Sequence, residues 1–252
     1  PCDEPKVELD EDDTWALVYT SGTTGLPKGV QWSYRNILAY AVTEVIQVGT
    51  THDDVALLAM PFFFTSQVEL IDHFYVGASS VIIDSLEPKT VLRAMEKERI
   101  TDTFLAPSLI ISLISYPDID KYDLGSMRRI LYGGAPMPLE VLRRATRVFG
   151  NVFIQIYGLF EGFRLCCLSK EEHILEGPEE MVKRLTSCGK EMLNMDVRVV
   201  DEDGKDVAPG EVGEIIARGD SVMKGYWKMP EVTAETLRGG YLYTGDLATV
   251  DE

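Results

Sequence analysis

Short apolar runs alternate with longer amphipathic runs along the first two-thirds of the chain. The apolar runs predict strands at Trp15–Tyr19, Val55–Met60, Ser80–Ile83, Thr103–Ala106, Arg129–Tyr132 and Val152–Tyr157. Apolar residues recurring every three or four positions predict helices over Ser33–Val48, Pro88–Glu98 and Pro138–Phe149, with Ser33 as an N-cap. Strands separated by helices predict an α/β fold with a mainly parallel sheet and flanking helices. Ligands of such sheets bind beyond the carboxyl ends of the strands.

The pattern changes after about residue 183, where shorter strands and glycine-rich turns follow. Val197–Val200 leads into Asp201-Glu202-Asp203-Gly204, a hairpin-type turn, and Glu214–Ala217 and Tyr241–Tyr243 are further short strands. We therefore predict a partial α/β nucleotide-binding subdomain over residues 1–183 and a partial, small β-rich subdomain over residues 184–252.

Composition narrows the function classes. The 252 residues are 45% hydrophobic, and 24 basic against 41 acidic residues give a net charge of −17, which disfavours nucleic acid and anionic membranes as partners. The longest apolar run, Val55–Phe64, contains Pro61 and is too short to span a bilayer. Four cysteines without a CxxC motif, and three histidines without ligand spacing, predict neither a disulfide framework nor a zinc site. We expect a reducing, cytoplasmic location.

The segment Thr20-Ser21-Gly22-Thr23-Thr24-Gly25-Leu26-Pro27-Lys28-Gly29-Val30 carries the strongest chemical signal. It follows a predicted strand and is expected to precede a helix. Its glycines allow backbone N–H groups to converge on an anion, and its hydroxyls and lysine add donors and positive charge. It differs from the P-loop of NTPases, because Pro27 and Gly29 stand where that pattern needs Gly and Ser or Thr. We interpret it as a phosphate-binding loop rather than a polar surface turn.

This loop resembles the signature loop of the adenylate-forming superfamily, which includes acyl-CoA synthetases, peptide-synthetase adenylation domains and firefly-type luciferases. Four further segments resemble that family's motifs in the same order: Gly133-Gly134-Ala135-Pro136, Tyr157-Gly158-Leu159-Phe160-Glu161, the stretch from Gly213 to Trp227, and Tyr243-Thr244-Gly245-Asp246-Leu247. The resemblance covers essentially the whole chain. It implies an acyl- or aryl-acid CoA ligase that uses ATP and Mg²⁺ to form an acyl-adenylate, and then CoA as co-substrate to form a thioester.

The resemblance also implies roles for individual residues. The implied ATP- and AMP-binding set is Thr20, Ser21, Gly22, Thr23, Thr24, Gly25, Lys28, Gly133, Gly134, Ala135, Pro136, Gln155, Ile156, Tyr157, Gly158, Leu159, Phe160, Glu161 and Asp246. Within it Lys28 and Glu161 are the candidate catalytic residues, Glu161 and Thr20 the candidate Mg²⁺ ligands, and Asp246 the candidate ribose ligand. The acyl pocket is expected at Phe63, Phe64, Gly133 and Gly158.

Two positions depart from the family pattern. Phe64 stands where many CoA ligases have His, which favours an apolar fatty or aryl acid, and Phe160 stands where the family usually has Thr. If the hydroxyl of that Thr bonds a phosphate oxygen, its loss weakens transition-state binding by about 1.5–3 kcal/mol. One alternative is therefore a non-catalytic nucleotide- or acyl-adenylate-binding protein. Another is amino-acid adenylation, which needs an acidic pocket residue such as Glu69 or Asp72.

The chain begins at Pro1 and ends at Glu252, six residues after Asp246. We read it as a fragment of the large N-terminal domain of a longer protein. The resemblance places the family's catalytic lysine in a C-terminal domain beyond this chain. We therefore expect the fragment to bind nucleotide but to adenylate weakly or not at all. The expected partners are a carboxylic acid, ATP and CoA, and the sequence is compatible with a homodimer.

Overall fold

The structure, a computed structural model, describes residues 6–20, 27–62 and 66–251. The strands are β1 (Thr14–Thr20), β2 (Lys28–Ser33), β3 (Val55–Leu58), β4 (Ser79–Ile82), β5 (Asp102–Leu105), β6 (Arg129–Gly133), β7 (Phe153–Leu159), β8 (Phe163–Leu168), β9 (Lys190–Glu191), β10 (Asp196–Val200), β11 (Val212–Arg218), β12 (Gly225–Tyr226), β13 (Leu237–Arg238) and β14 (Tyr241–Thr249). The helices are α1 (Tyr34–Val48), α2 (Ser66–Val76), α3 (Pro88–Lys97), α4 (Pro107–Ile114), α5 (Leu139–Phe149), α6 (Glu179–Lys183) and α7 (Pro230–Thr236).

A seven-stranded sheet in the order β4-β3-β5-β6-β7-β8-β9 forms the centre of the molecule. Its first five strands are parallel, and β8 and β9 add to β7 in antiparallel fashion. Every residue of β6 is buried, as expected for an inner strand covered on both faces. The predicted α/β class with a mainly parallel sheet is confirmed.

Alternate residues of the sheet strands pack into two different cores. Ile130 and Phe153 belong to the larger core, which contains the apolar faces of α3, α4 and α5. Leu131 and Ile154, their neighbours in sequence, pack instead with Val48 at the end of α1. Because successive side chains of a strand point to opposite faces, the sheet separates these two cores.

The three predicted helices are confirmed within one or two residues at each end. In α1 the Ser33 hydroxyl accepts the Asn36 N–H at 3.1 Å, and the Asn36 side chain accepts the Ser33 N–H at 2.9 Å. This reciprocal pair satisfies backbone donors at the helix start. Gly49 ends the helix in the left-handed conformation, at φ 78°.

The phosphate-binding loop does not lead directly into a helix, which corrects one prediction. Lys28–Ser33 forms β2, which pairs antiparallel with β1, and α1 starts only after it. Val30 and Trp32 are fully buried, whereas Gln31 between them is not. Burial along β2 does not alternate, because Gly29 and Ser33 are buried as well, so this short run lacks the period-two pattern from which a strand is predicted. The sequence patterns also did not predict α2, α4 and β8.

The described residues also form two smaller antiparallel sheets. One has the order β10-β11-β14-β13, and the other has the order β1-β2-β12. Asp201 begins the turn after β10, and its carboxylate accepts hydrogen bonds from the N–H groups of Asp203 and Lys205 at 2.9 Å each.

The chain passes from the large sheet to the four-stranded sheet between Glu191 and Asp196, because β9 still belongs to the large sheet and β10 does not. The subdomain division after residue 183 remains a prediction. Among the helices described, none is long and apolar enough to cross a membrane.

Candidate functional site

Residues of four motifs take part in two tyrosine contacts at the carboxyl end of β7. Lys28 begins β2, Glu161 lies in the turn between β7 and β8, Tyr226 lies in β12, and Asp246 lies in β14. The contacts that join them are long-range, because Glu161 and Tyr226 are 65 positions apart in sequence. The tertiary fold therefore brings together segments that the sequence analysis could only order along the chain.

Tyr226 contacts two candidate catalytic side chains at once. Its hydroxyl donates a hydrogen bond to Oε1 of Glu161 at 2.7 Å, and Nζ of Lys28 lies 5.0 Å from the centre of its ring. Burial and the hydrogen bond to the Glu161 carboxylate raise the pKa of Tyr226 well above its usual range. The hydroxyl therefore keeps its proton and acts as the donor. Tyr226 lies in one of the motifs of the sequence, but its residue type and spacing there predicted no role for it.

Two backbone carbonyls fix the turn that carries Glu161. The carbonyl of Phe160 accepts a hydrogen bond from Nε1 of Trp32 at 2.7 Å, and the carbonyl of Glu161 accepts one from the Met223 N–H at 2.8 Å. Trp32 is fully buried in β2. The turn is thus tied to β2 on one side and to the segment before β12 on the other.

Phe160 packs where the resemblance led us to look for a hydroxyl. Its ring centre lies 5.9 Å from that of Trp32, and the Trp32 ring centre lies in turn 4.3 Å from that of Phe163. The ring is therefore part of an aromatic cluster beneath the Glu161 turn. A side chain that packs there supports the turn but provides no donor to a phosphate.

Asp246 is held by a second tyrosine. The Tyr157 hydroxyl donates to Oδ2 of Asp246 at 2.7 Å, and burial together with this bond raises the pKa of Tyr157. The Asp246 N–H bonds the Thr244 hydroxyl at 3.1 Å, and that hydroxyl bonds the Ile215 carbonyl at 2.8 Å. Asp246 remains exposed, so its carboxylate is oriented by Tyr157 yet accessible from solvent.

Two motif glycines are required by strand packing. A Cβ atom at Gly133 would lie 2.3 Å from the Ile156 carbonyl oxygen, and one at Gly158 would lie 1.9 Å from the Phe163 carbonyl oxygen. Both distances are far below van der Waals contact, so the neighbouring backbone by itself explains why these positions lack a side chain.

The other predicted residues fall into three groups. Gly134, Ala135 and Pro136 are exposed just past the carboxyl end of β6, whereas Gln155, Ile156 and Leu159 lie within β7, where Ile156 is buried. Thr20 and Lys28 are register partners at the open end of the β1–β2 pair. The remaining candidates lie outside the described residues: Ser21, Gly22, Thr23, Thr24, Gly25, Phe63 and Phe64.

A buried charged network includes two acids that the sequence analysis considered for an amino-group pocket. Asp72 accepts a hydrogen bond from Nδ1 of the buried His73 at 2.9 Å, and Glu69 lies 3.8 Å from the guanidinium of Arg164. Arg164 also pairs closely with the buried Glu44. Asp72 thus has a hydrogen-bonded partner inside the protein, whereas neither carboxylate oxygen of the buried Glu69 has a hydrogen-bond partner among the described residues.

His73 is charged in this network. Burial opposes its protonation, but the hydrogen bond and charge of Asp72 and the charge of Asp102 outweigh burial and raise the pKa of His73 to about 9. A cavity of about 10 Å³ lies beside His73, Glu69 and Arg164. That volume suits about one water molecule.

Comparison with known proteins extends these observations. A family model described as "AMP-binding enzyme" matches residues 2–227. Feruloyl-CoA synthase of an Amycolatopsis species is 34% identical over 98% of this chain and 49% of its own length. A medium/long-chain-fatty-acid–CoA ligase of Mycobacterium tuberculosis is 35% identical over 97% of this chain and 42% of its own length. The chain therefore spans about half the length of the curated relatives that it matches.

The solved structures include one with a bound nucleotide. O-succinylbenzoate coenzyme A synthetase from Bacillus subtilis, in complex with AMP, superposes with a TM-score of 0.86 at 30% identity. The match covers 97% of this chain and 48% of that one. The fold of this chain is thus found in a nucleotide-binding CoA synthetase.

Proposed function

The chain belongs to the AMP-binding enzyme family, and from this membership we propose that the longer protein activates a carboxylic acid with ATP and transfers the acyl group to CoA. In the first half-reaction a carboxylate oxygen of the acid attacks the α-phosphate of ATP. A phosphorus–oxygen bond to the acid forms, and the bond to pyrophosphate breaks. In the second half-reaction the CoA thiol attacks the acyl carbon, AMP leaves, and the thiol proton is released.

The observation that carries this proposal is that Lys28 and Glu161 both contact Tyr226, while Asp246 is bonded by Tyr157 of β7, the strand that leads into the Glu161 turn. Each charged group suits a different part of ATP. Lys28 neutralises charge on the β- and γ-phosphates, and Asp246 accepts hydrogen bonds from the ribose hydroxyls. Glu161 binds the cation that accompanies the phosphates. Preorganised charges of this kind stabilise a transition state in which negative charge moves toward pyrophosphate.

The chemistry of Glu161 fits Mg²⁺. Among the described residues Glu161 receives a hydrogen bond on Oε1 and none on Oε2, so one oxygen is left for a cation. No cluster of three or more acidic, histidine or cysteine ligands exists in residues 6–20, 27–62 and 66–251. Mg²⁺ typically binds through one or two carboxylates plus substrate phosphates rather than in an all-protein cage. When bound, the ion supplies Lewis-acid neutralisation of phosphate charge, with Glu161 and Thr20 as its proposed protein ligands.

The substrate is proposed to be an apolar carboxylic acid. The two curated relatives named above act, by their names, on an aryl acid and on medium- or long-chain fatty acids. The proposed acyl pocket is lined by Phe63, Phe64, Gly133 and Gly158. We further propose that the 252-residue chain alone binds nucleotide but adenylates weakly, because the family's C-terminal lysine is not among its motifs.

The test is ATP–pyrophosphate exchange by the full-length protein with a panel of fatty, aryl and amino acids. We expect exchange that depends on one class of acid. Glu161→Gln should lower the exchange rate by on the order of 100-fold, because it removes a charge that acts in the transition state. The control is Glu180→Gln, at an exposed position of α6. No exchange with any acid would refute the proposal.

A second candidate is a non-catalytic nucleotide-binding protein, and Phe160 is the observation that favours it. Its ring packs on Trp32 and leaves no hydroxyl at that position of the motif. This candidate predicts ATP binding without exchange. A gain of exchange in Phe160→Thr would identify the missing hydroxyl as the cause. Amino-acid adenylation has less support, because Asp72 is hydrogen-bonded to His73 and both Asp72 and Glu69 are buried between α2 and the large sheet.

A further inference from the structure

Tyr226 is fixed by its own strand and by the following helix. It pairs with Val30 across β12 and β2, and its N–H donates to the Thr233 hydroxyl in α7 at 2.9 Å. That hydroxyl also donates to the Met229 carbonyl at 2.8 Å. The whole residue is only 5% exposed. Its ring and hydroxyl therefore have a defined position before any ligand binds.

From this fixed position Tyr226 reaches two groups of opposite charge. The hydroxyl bonds Oε1 of Glu161, and the ring face carries the ammonium group of Lys28. A hydrogen bond to one carboxylate oxygen restricts the rotation of the glutamate and directs its second oxygen. Attraction between an ammonium group and a tyrosine ring holds the flexible lysine side chain near the same place.

We propose that Tyr226 is a positioning residue of the nucleotide site, which orients Glu161 toward the cation and holds Lys28 beside it. This inference rests on the proposed function, because it concerns how the same site binds magnesium–nucleotide. Groups that orient a metal ligand from behind affect the affinity for the metal as well as the ligand's geometry. Prior ordering also reduces the entropy that is lost on binding.

The molecule contains a matched control for this arrangement. The Tyr241 hydroxyl donates to Oδ2 of Asp196 at 2.7 Å, and the Arg218 guanidinium lies 4.7 Å from the Tyr241 ring centre. Tyr241 thus also bonds a carboxylate and carries a cation on its ring, but it lies in the four-stranded sheet and bonds none of the candidate site residues. Tyr241→Phe removes the same hydroxyl in the same kind of contact.

The experiment measures ATP binding by the full-length protein as Mg²⁺ is titrated, using calorimetry. Tyr226→Phe keeps the ring and loses the hydroxyl. We expect it to raise the Mg²⁺ concentration for half-maximal ATP binding by about 10- to 100-fold. Tyr241→Phe should leave that concentration within about twofold of the wild type, because distant sites act independently. Equal Mg²⁺ curves for Tyr226→Phe and the wild type would overturn the inference.

The contribution of the ring is separated by double-mutant cycles with Lys28→Met. The effects of Lys28→Met and Tyr226→Phe on ATP affinity should add, because Phe retains the ring. The effects of Lys28→Met and Tyr226→Leu should not add, because either change already removes the lysine–ring contact. Additivity in both cycles would show that the ring does not hold Lys28.

A spectroscopic measurement decides the inference independently of nucleotide binding. In protein labelled with ¹³C at tyrosine Cζ, the Tyr226 signal is identified by its loss in Tyr226→Phe. Glu161→Gln should move this signal, whereas Glu180→Gln should not. If the wild type binds no nucleotide, the proposed function fails and this signal alone decides the contact. A signal that Glu161→Gln leaves in place would then overturn the positioning role as well.

Discussion

Arg129 offers a sharp test of how the large sheet is stabilised. It begins β6, and its side chain is 5% exposed. Its guanidinium donates to Asp54 at 2.6 Å, to Asp102 at 2.6 Å and to the Gly49 carbonyl at 3.0 Å. Although burial opposes ionisation of Asp54, hydrogen bonds from Arg129 and Thr51 outweigh it and lower the pKa of Asp54 to about 2.

The change Arg129→Met removes the charge but keeps much of the apolar volume. It leaves two buried carboxylates without their principal cation, and breaking a buried ion pair in this way costs about 3–5 kcal/mol. That is a large share of the roughly 5–15 kcal/mol by which a folded domain is stable. The neighbouring Arg128 provides the control, because it contacts Asp54 at 3.1 Å but its side chain is 49% exposed. Screened by solvent, its contact should contribute about 0–1 kcal/mol.

The assay is equilibrium unfolding in urea, followed by circular dichroism, for the wild type, Arg129→Met and Arg128→Met. With a slope of about 3 kcal/mol per molar urea, the Arg129 change should lower the midpoint by about 1–1.7 M. The Arg128 change should lower it by at most about 0.3 M. The loss should shrink near pH 4, where protonation of the unpaired carboxylates relieves the buried charge. Equal midpoints for the two variants at pH 7 would refute the reasoning.

Three further predictions follow from the geometry of the site and its surroundings. Gly158→Ala should destabilise the protein by about 3 kcal/mol or more, because the added Cβ would collide with the backbone of β8. Gly134→Ala should cost only about 1 kcal/mol, because Gly134 has a positive φ but open space around it. Similar thermal midpoints for the two variants would contradict this prediction. Trp32→Phe should cost about 1–3 kcal/mol in urea unfolding, because it leaves the Phe160 carbonyl without its donor, and an unchanged midpoint would show that the bond contributes nothing. The pKa of His73 is raised from 6.5 to about 9, so its contribution to the free energy of unfolding is complete below pH 6.5 and is lost as the pH rises through 9, by about 3 kcal/mol in total. His73→Asn should therefore flatten the fall of unfolding free energy with pH in this range. An unaltered pH dependence in that variant would exclude His73 as its source.

Local patterns in the sequence determined much of the secondary structure. Helix α1, with Ser33 as its cap, was predicted because helical periodicity and capping depend on residues only a few positions apart. Strand β2 was not predicted, because its six residues include lysine, glycine and glutamine. Its place in the sheet, between β1 and β12, depends on a strand almost 200 positions away in the sequence. Helix α4 is a short apolar run, for which periodicity alone does not separate helix from strand.

The sequence by itself also supplied the candidates Lys28, Glu161 and Asp246, because they lie in ordered motifs that resemble those of one family, and their roles stay a prediction. It could not show what holds them. The hydroxyl of Tyr157 reaches Asp246 across 89 positions and that of Tyr226 reaches Glu161 across 65, and contacts at such separations depend on how the strands are arranged in space. The same holds for Gly158, because the backbone of the next strand leaves no room for a side chain at that position. The sequence therefore predicts the candidate catalytic groups, whereas the tyrosines that contact them are brought there by the tertiary structure, because those contacts join segments far apart in the chain.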